Sequence, residues 1–124
     1  MRKILITAGD TAGTAILHDN PTAGAIWAAL PFAGQANRWG DEIYFDIPVD
    51  LPAADDARDV LQPGELGYWP DGNAFCIFWG PTPASHGDEP RAYSPVNVFG
   101  CMEGDPGAFA QVPANAHVHV TRSS

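Results

Sequence analysis

The chain is short of positive charge. Six lysines and arginines stand against fifteen aspartates and glutamates, a formal net charge of -9. A surface of that sign repels phosphate backbones and anionic headgroups instead of releasing their counterions. Neither nucleic acid nor a membrane is therefore expected as a partner. Long apolar runs are missing as well, none approaching the roughly 18 residues that a spanning helix needs. The N-terminus is basic, but its apolar stretch is only Ile4-Leu5-Ile6, and Gly9-Asp10 closes it too early for a secretory signal. We therefore expect a cytoplasmic protein. Cysteine is scarce: Cys76 and Cys101 are the only two. In that compartment they are expected as free thiols, acting as small buried hydrophobes in strands. Motifs that announce chemistry are absent too. No glycines cluster as a phosphate loop or dinucleotide fingerprint, and no serine sits in a nucleophile elbow. No cofactor is expected.

Stretches free of glycine and proline are also short, and this is informative in its own right. Thirteen glycines and twelve prolines are spread along the chain, and the longest internal gap between them runs from Ala53 to Gln62. Long helices are excluded, and short strands between frequent turns remain, the pattern of a sandwich or a closed barrel. With 124 residues, 45% apolar, the chain has the size and composition of one packed domain, 1–124. Strands are expected at Ile4–Ala8, Thr14–Leu17, Phe32–Trp39, Glu42–Ile47, Glu65–Trp69, Phe75–Trp79, Pro95–Met102 and His117–Thr121. One helix is expected after Asn20-Pro21-Thr22, where an N-cap precedes proline at the first helical position. Ile26, Trp27 and Leu30 then share a face before Pro31 stops it. Pro70-Asp71-Gly72-Asn73 reads as a tight connection between two aromatic-rich strands. Val49 to Leu61, with four aspartates, reads as a solvated acidic loop.

Few residues present themselves for chemistry. His117 and His119 lie on one face of the last strand, because side chains alternate with period two. Two imidazoles do not make a metal site, and nothing in the sequence positions a third ligand, so no metal is expected. Asp41-Glu42, Glu65 and Asp88-Glu89 are carboxylates of the kind that general acid and base catalysis uses, but in so acidic a chain some proximity is expected without function. Aromatics are more telling. Phe78 and Trp79 cannot both face the core, nor can Tyr68 and Trp69, so one ring of each pair is left for the outer face. There it lies beneath a loop or at a binding surface.

Several stretches, taken together, resemble the uncharacterised cyclophilin-like proteins of bacteria and archaea. They are Asp19-Asn20-Pro21-Thr22-Ala23, Trp39-Gly40-Asp41-Glu42-Ile43-Tyr44-Phe45, Gly64 to Pro83, and Ser94-Pro95-Val96-Asn97-Val98-Phe99-Gly100. The resemblance implies a mainly β fold, a closed eight-stranded barrel with one short helix capping an end. It places Phe75, Ile77 and Trp79 inside and turns Cys76 and Phe78 outward. Ala74-Phe75-Cys76-Ile77 resembles the Gln-Phe-Phe-Ile strand of the prolyl isomerases in that fold, and Val98-Phe99-Gly100 matches their Val-Phe-Gly. Where they carry the pocket glutamine, phenylalanine and histidine, this chain has Ala74, Cys76 and Val96. Arg38 is the one arginine available for their electrostatic role, in an Asn37-Arg38-Trp39 context unlike their Phe-His-Arg.

The functional expectation is a binding module without efficient catalysis. Its outer face around Arg38, Tyr44, Trp69, Cys76 and Phe78 would accept a small molecule or a peptide segment. The alternatives are a divergent peptidyl-prolyl isomerase using Arg38, and a structural domain whose spare aromatics form a homo-oligomer interface.

Overall fold

A computed structural model describes residues 1–123; Ser124, the last residue of the expected domain, lies outside them. The chain runs β1 (Lys3–Ala8), β2 (Thr11–Leu17), α1 (Pro21–Ala29), β3 (Phe32–Gln35), β4 (Asn37–Arg38), β5 (Glu42–Asp46), β6 (Arg58–Val60), β7 (Glu65–Trp69), β8 (Ala74–Phe78), β9 (Arg91–Met102) and β10 (His117–Arg122), with 3-10 turns at Pro70–Gly72 and Pro106–Gln111. It is mainly β with one short helix.

The strands form one ten-stranded antiparallel sheet in the order β3-β10-β1-β2-β9-β7-β8-β5-β4, with β6 paired to β9 alongside. The closed eight-stranded ring is not what the hydrogen bonds draw. Among the described residues the ladder stays open between β3 and β4. The physical reason lies in the segment Phe32–Arg38, expected as part of one strand. It breaks at Ala36, its first half pairing with β10 and its second with β5, so one bent stretch serves both ends of the sheet. The acidic stretch also departs from expectation. Arg58–Val60 leaves the loop to pair with the first half of β9, which begins at Arg91, before the expected Pro95.

Elsewhere local chemistry sets the elements as expected. The Asn20 side chain accepts a hydrogen bond from the Ala23 amide at 2.9 Å, and Pro21 opens the helix. Ala23, Ile26 and Leu30 enter the core, whereas Trp27 stays half-buried with Arg122 over its ring at 4.6 Å. At the β7–β8 connection Asn73 takes the left-handed conformation, φ 50°, which asparagine tolerates. Its amide donates to the Tyr68 hydroxyl at 2.9 Å, and that buried hydroxyl donates to the Val49 carbonyl at 2.7 Å.

Alternation then builds two apolar layers. On the inner face Phe75 stacks on Phe45 at 5.0 Å and meets Phe99 edge-on at 5.0 Å, inside a core that includes Ile43, Leu66 and Ile77. On the opposite face of the same strands lie Ala74, Cys76 and Phe78, covered by Leu61, Ala92 and Val96. β9 reaches this layer because it bends. Its second half pairs with β7 and β2, while Arg91 and Val96 register with β6. Every residue of β8 is consequently buried.

Candidate functional site

The outer layer is not filled to its edge. Where β5, β7, β8 and β9 meet, a cavity of about 160 Å³ is lined by Trp39, Glu42, Tyr44, Trp69, Cys76, Ala92, Tyr93 and Val96. Period-two alternation delivers these side chains. Within β5, Ile43 and Phe45 face the inner core, so Glu42 and Tyr44 face outward. Cys76 stands opposite Tyr44 and Phe78 opposite Glu42 in the β5–β8 register. Glycine at 67 makes room for the floor, since a Cβ there would meet Val96 at 2.6 Å.

Three of the four aromatic walls hold one another. Tyr93 meets Trp39 edge-on at 6.2 Å and Trp69 edge-on at 6.0 Å. The Trp69 indole N–H donates to the Ser94 hydroxyl at 2.6 Å, and that hydroxyl donates to Asp71 at 3.2 Å. The Trp39 amide donates to the Glu42 carbonyl at 3.1 Å. Tyr93 is 75% exposed and forms the rim.

Glu42 is the unusual member. It is 5% exposed, and burial pushes its carboxyl up to about 8, with the Cys76 thiol beside it drawing it back a little. The thiol in turn is pushed up by burial and by Glu42. Charged forms are penalised where water is scarce, so the carboxyl is mostly protonated at neutral pH. That thiol is the one group that lowers it, and no cation among the described residues does so.

Of the five expected site residues the structure brings together Tyr44, Trp69 and Cys76. Phe78 does turn outward, but it is completely buried beneath Leu61 and Val96 and does not line the cavity. It is the apolar backing of the site and presents no surface for a ligand. Arg38 is elsewhere. Its guanidinium donates to the carbonyls of Ala110 and Val112 at 3.1 Å and to that of Gly40 at 3.3 Å, and stacks over Trp79 at 5.2 Å. That arrangement ties the 3-10 turn Pro106–Gln111 to the β4–β5 hairpin.

Glu42, Trp39, Tyr93 and Val96 join the cavity without having been singled out as ligand-contacting residues. The alternation of Glu42 with Ile43 and Phe45 was readable, but its burial depends on the bend of β9, which leaves no local mark.

His117 and His119 are exposed, with their rings 6.2 Å apart, and Val118 and Val120 face inward. No group of three metal-ligating side chains gathers among the described residues. Both cysteines are free, but only Cys76 is buried; Cys101 is exposed. No helix among the described residues is long and apolar enough to cross a membrane.

A second cavity of about 430 Å³ lies between α1 and the 51–56 loop. Its buried Asn97 donates to Thr22 and Pro52 and accepts from the Ala54 amide. Its polar groups are thus answered by hydrogen bonds from within the chain.

The chain is similar to a hypothetical protein from Archaeoglobus fulgidus whose solution structure is known. The TM-score is 0.82 and the identity 33%, with 98% of this chain and 95% of that one covered. No curated protein matches it. The family model described as cyclophilin-like matches residues 2–121. The chain belongs to the cyclophilin-like family.

Proposed function

We propose that this protein is a cytoplasmic binding module that takes a small molecule, or the end of a peptide side chain, into the cavity at Trp39, Glu42, Tyr44, Trp69 and Cys76. The observation that carries this reading is the meeting of an aromatic-walled hollow with a buried carboxyl that no cation in the chain answers. Burying such a carboxyl works against folding as it ionises, whereas a ligand site needs a few convergent polar groups in an apolar setting. Efficient isomerase catalysis is not part of the proposal. The three isomerase positions carry Ala74, Cys76 and Val96, and Arg38 is committed to backbone carbonyls away from the cavity. Nor does the reading require the sheet to close, since the cavity is built on strands whose ladder is continuous from β9 to β5.

A small-fragment screen read by the indole N–H resonances of the four tryptophans tests the proposal. Fragments are expected to shift Trp39 and Trp69 and to leave Trp27 unmoved. A screen in which no fragment shifts Trp39 or Trp69 would overturn it. Concentration-dependent mass in solution, with Tyr93 buried between copies, would favour the interface alternative.

A further inference from the structure

The walls and the base of the cavity ask for the same kind of guest. Trp39, Tyr44, Trp69 and Tyr93 surround it, and aromatic faces carry the negative side of the ring quadrupole, which attracts cations. At the base, Glu42 is 5% exposed, and no cation of the chain among the described residues acts on it.

The chain's nearby cations are all committed elsewhere. Arg91 pairs with Glu89 at 3.1 Å and Asp59 at 3.4 Å, Arg58 with Glu65 at 2.6 Å, and Arg38 with carbonyls and Trp79. A volume of about 160 Å³ is smaller than the roughly 300–1,000 Å³ of drug-sized pockets, but holds a compact head group. The net charge of -9 draws cations to the surface. An anion would meet the negative ring faces unfavourably, and an apolar guest would leave the carboxyl without a partner.

From this geometry we infer that the cavity binds a small organic cation, an alkylated ammonium of about choline size. It sits among the four rings with its charge answered by Glu42. The inference rests on the proposed reading of the cavity as a ligand site and adds the chemistry of the guest.

Binding also has a proton linkage. In the empty cavity the carboxyl titrates at about 8; the cation favours the carboxylate, so the Glu42 proton leaves to bulk water. The other titratable side chains facing it are the Cys76 thiol on β8, the Tyr44 phenol on β5 and the Tyr93 phenol on β9. Asp41, in the preceding turn, packs against Gly80. None of these is a cation. Affinity for a permanently charged ammonium should therefore rise by up to roughly tenfold per pH unit below about 8 and then level off.

The test compares choline with its neutral carbon isostere, 3,3-dimethylbutan-1-ol, on the wild-type protein at pH 6 and pH 8. Binding is followed by the Trp39 and Trp69 indole signals. Choline is expected to bind at least about tenfold tighter than the isostere at pH 8 and to weaken about tenfold or more at pH 6, with the isostere unchanged. Glu42→Gln is expected to remove the pH dependence and to cut the preference to what the rings alone supply. The wild-type comparison stands without the variant. Equal binding of the two probes without pH dependence would overturn the cation inference and leave the ligand-site reading intact. If neither probe binds while other fragments still shift Trp39 and Trp69, only the inference falls. Silence from every fragment as well would overturn both.

Discussion

Glu65 and Glu42 are both nearly buried, at 9% and 5% exposure, on strands separated only by β8. Their surroundings differ completely. Burial alone would raise Glu65, but the Arg58 guanidinium grips both carboxylate oxygens at 2.9 and 2.6 Å and the Gln62 amide donates at 2.6 Å. The net result is a carboxyl below its ordinary value. Nothing comparable reaches Glu42, and burial carries it to about 8. The sheet thus supplies a partner where a carboxylate serves structure. At the other glutamate it supplies a hollow with aromatic walls. One glutamate is satisfied within the chain, and the other is the group on which the proposed ligand site rests.

The largest expected effect comes from removing the apolar backing of the cavity. Phe78 is fully buried opposite Glu42, so Phe78→Ala should cost roughly 3–5 kcal/mol in denaturant unfolding, comparable with Phe75→Ala in the inner core. It should also bring the Glu42 carboxyl down toward the ordinary range as water enters. A cost below about 1 kcal/mol would mean that the outer layer is not a packed core.

Next in size is Glu42→Gln, whose effect has a sign and a pH window. The folded-state value of Glu42, about 8, lies above its unfolded value near 4.5. The group's contribution is therefore complete below about 4.5 and is lost as pH rises through 8. Wild-type stability should carry this loss, whereas the glutamine variant should not. Relative to their difference at pH 4.5, the variant should gain about 3 kcal/mol on the wild type by pH 7. Chemical unfolding of both at pH 4.5, 6, 7 and 8 checks it. Parallel curves would erase the contrast with Glu65.

Arg58→Met should give the opposite sign. It leaves the Glu65 carboxylate without its cation, and because Arg58 is 45% exposed the cost falls to about 1–3 kcal/mol, below that of a fully buried pair. It should also raise the Glu65 carboxyl and so make Glu65 resemble Glu42. No change in stability would show that the Gln62 amide alone satisfies Glu65.

Local chemistry made much of the fold legible before any coordinates. The Asn20-Pro21 helix start and the Pro70–Asn73 connection depend on near neighbours, and the structure has them; the inward facing of Phe75 and Ile77, implied by the family resemblance, is there as well. What escaped depends on distant ones. The break at Ala36 follows from the sharing of Phe32–Arg38 between β10 and β5, and the strand Arg58–Val60 exists only because β9 bends over to pair with it.

The same bend decides the site. The resemblance turned Cys76 outward, and period two left one of Tyr68 and Trp69 for the outer face. Phe78 shares that face, but the bend of β9 buries it, and it buries Glu42 as well. A glutamate at an outward position of a strand ordinarily reads as solvated, so its role was hidden until Ala92 and Val96 were seen above it. Arg38 was singled out by its family role, whereas its distant partners are the carbonyls of Ala110 and Val112, in and just after the 3-10 turn Pro106–Gln111 and more than seventy residues on.

Everything proposed for the cavity turns on Glu42 being a protonated acid with no cation beside it when the cavity is empty. A carbon-detected NMR pH titration of the glutamate side-chain carboxyl resonances, with Glu42→Gln to assign the signal, measures it directly. The account predicts a Glu42 midpoint near 8 while Glu65 titrates below the ordinary carboxylate range. A Glu42 midpoint near 4.5 would contradict it, because the carboxyl would then be ionised and solvated at neutral pH and would stand in no need of a partner.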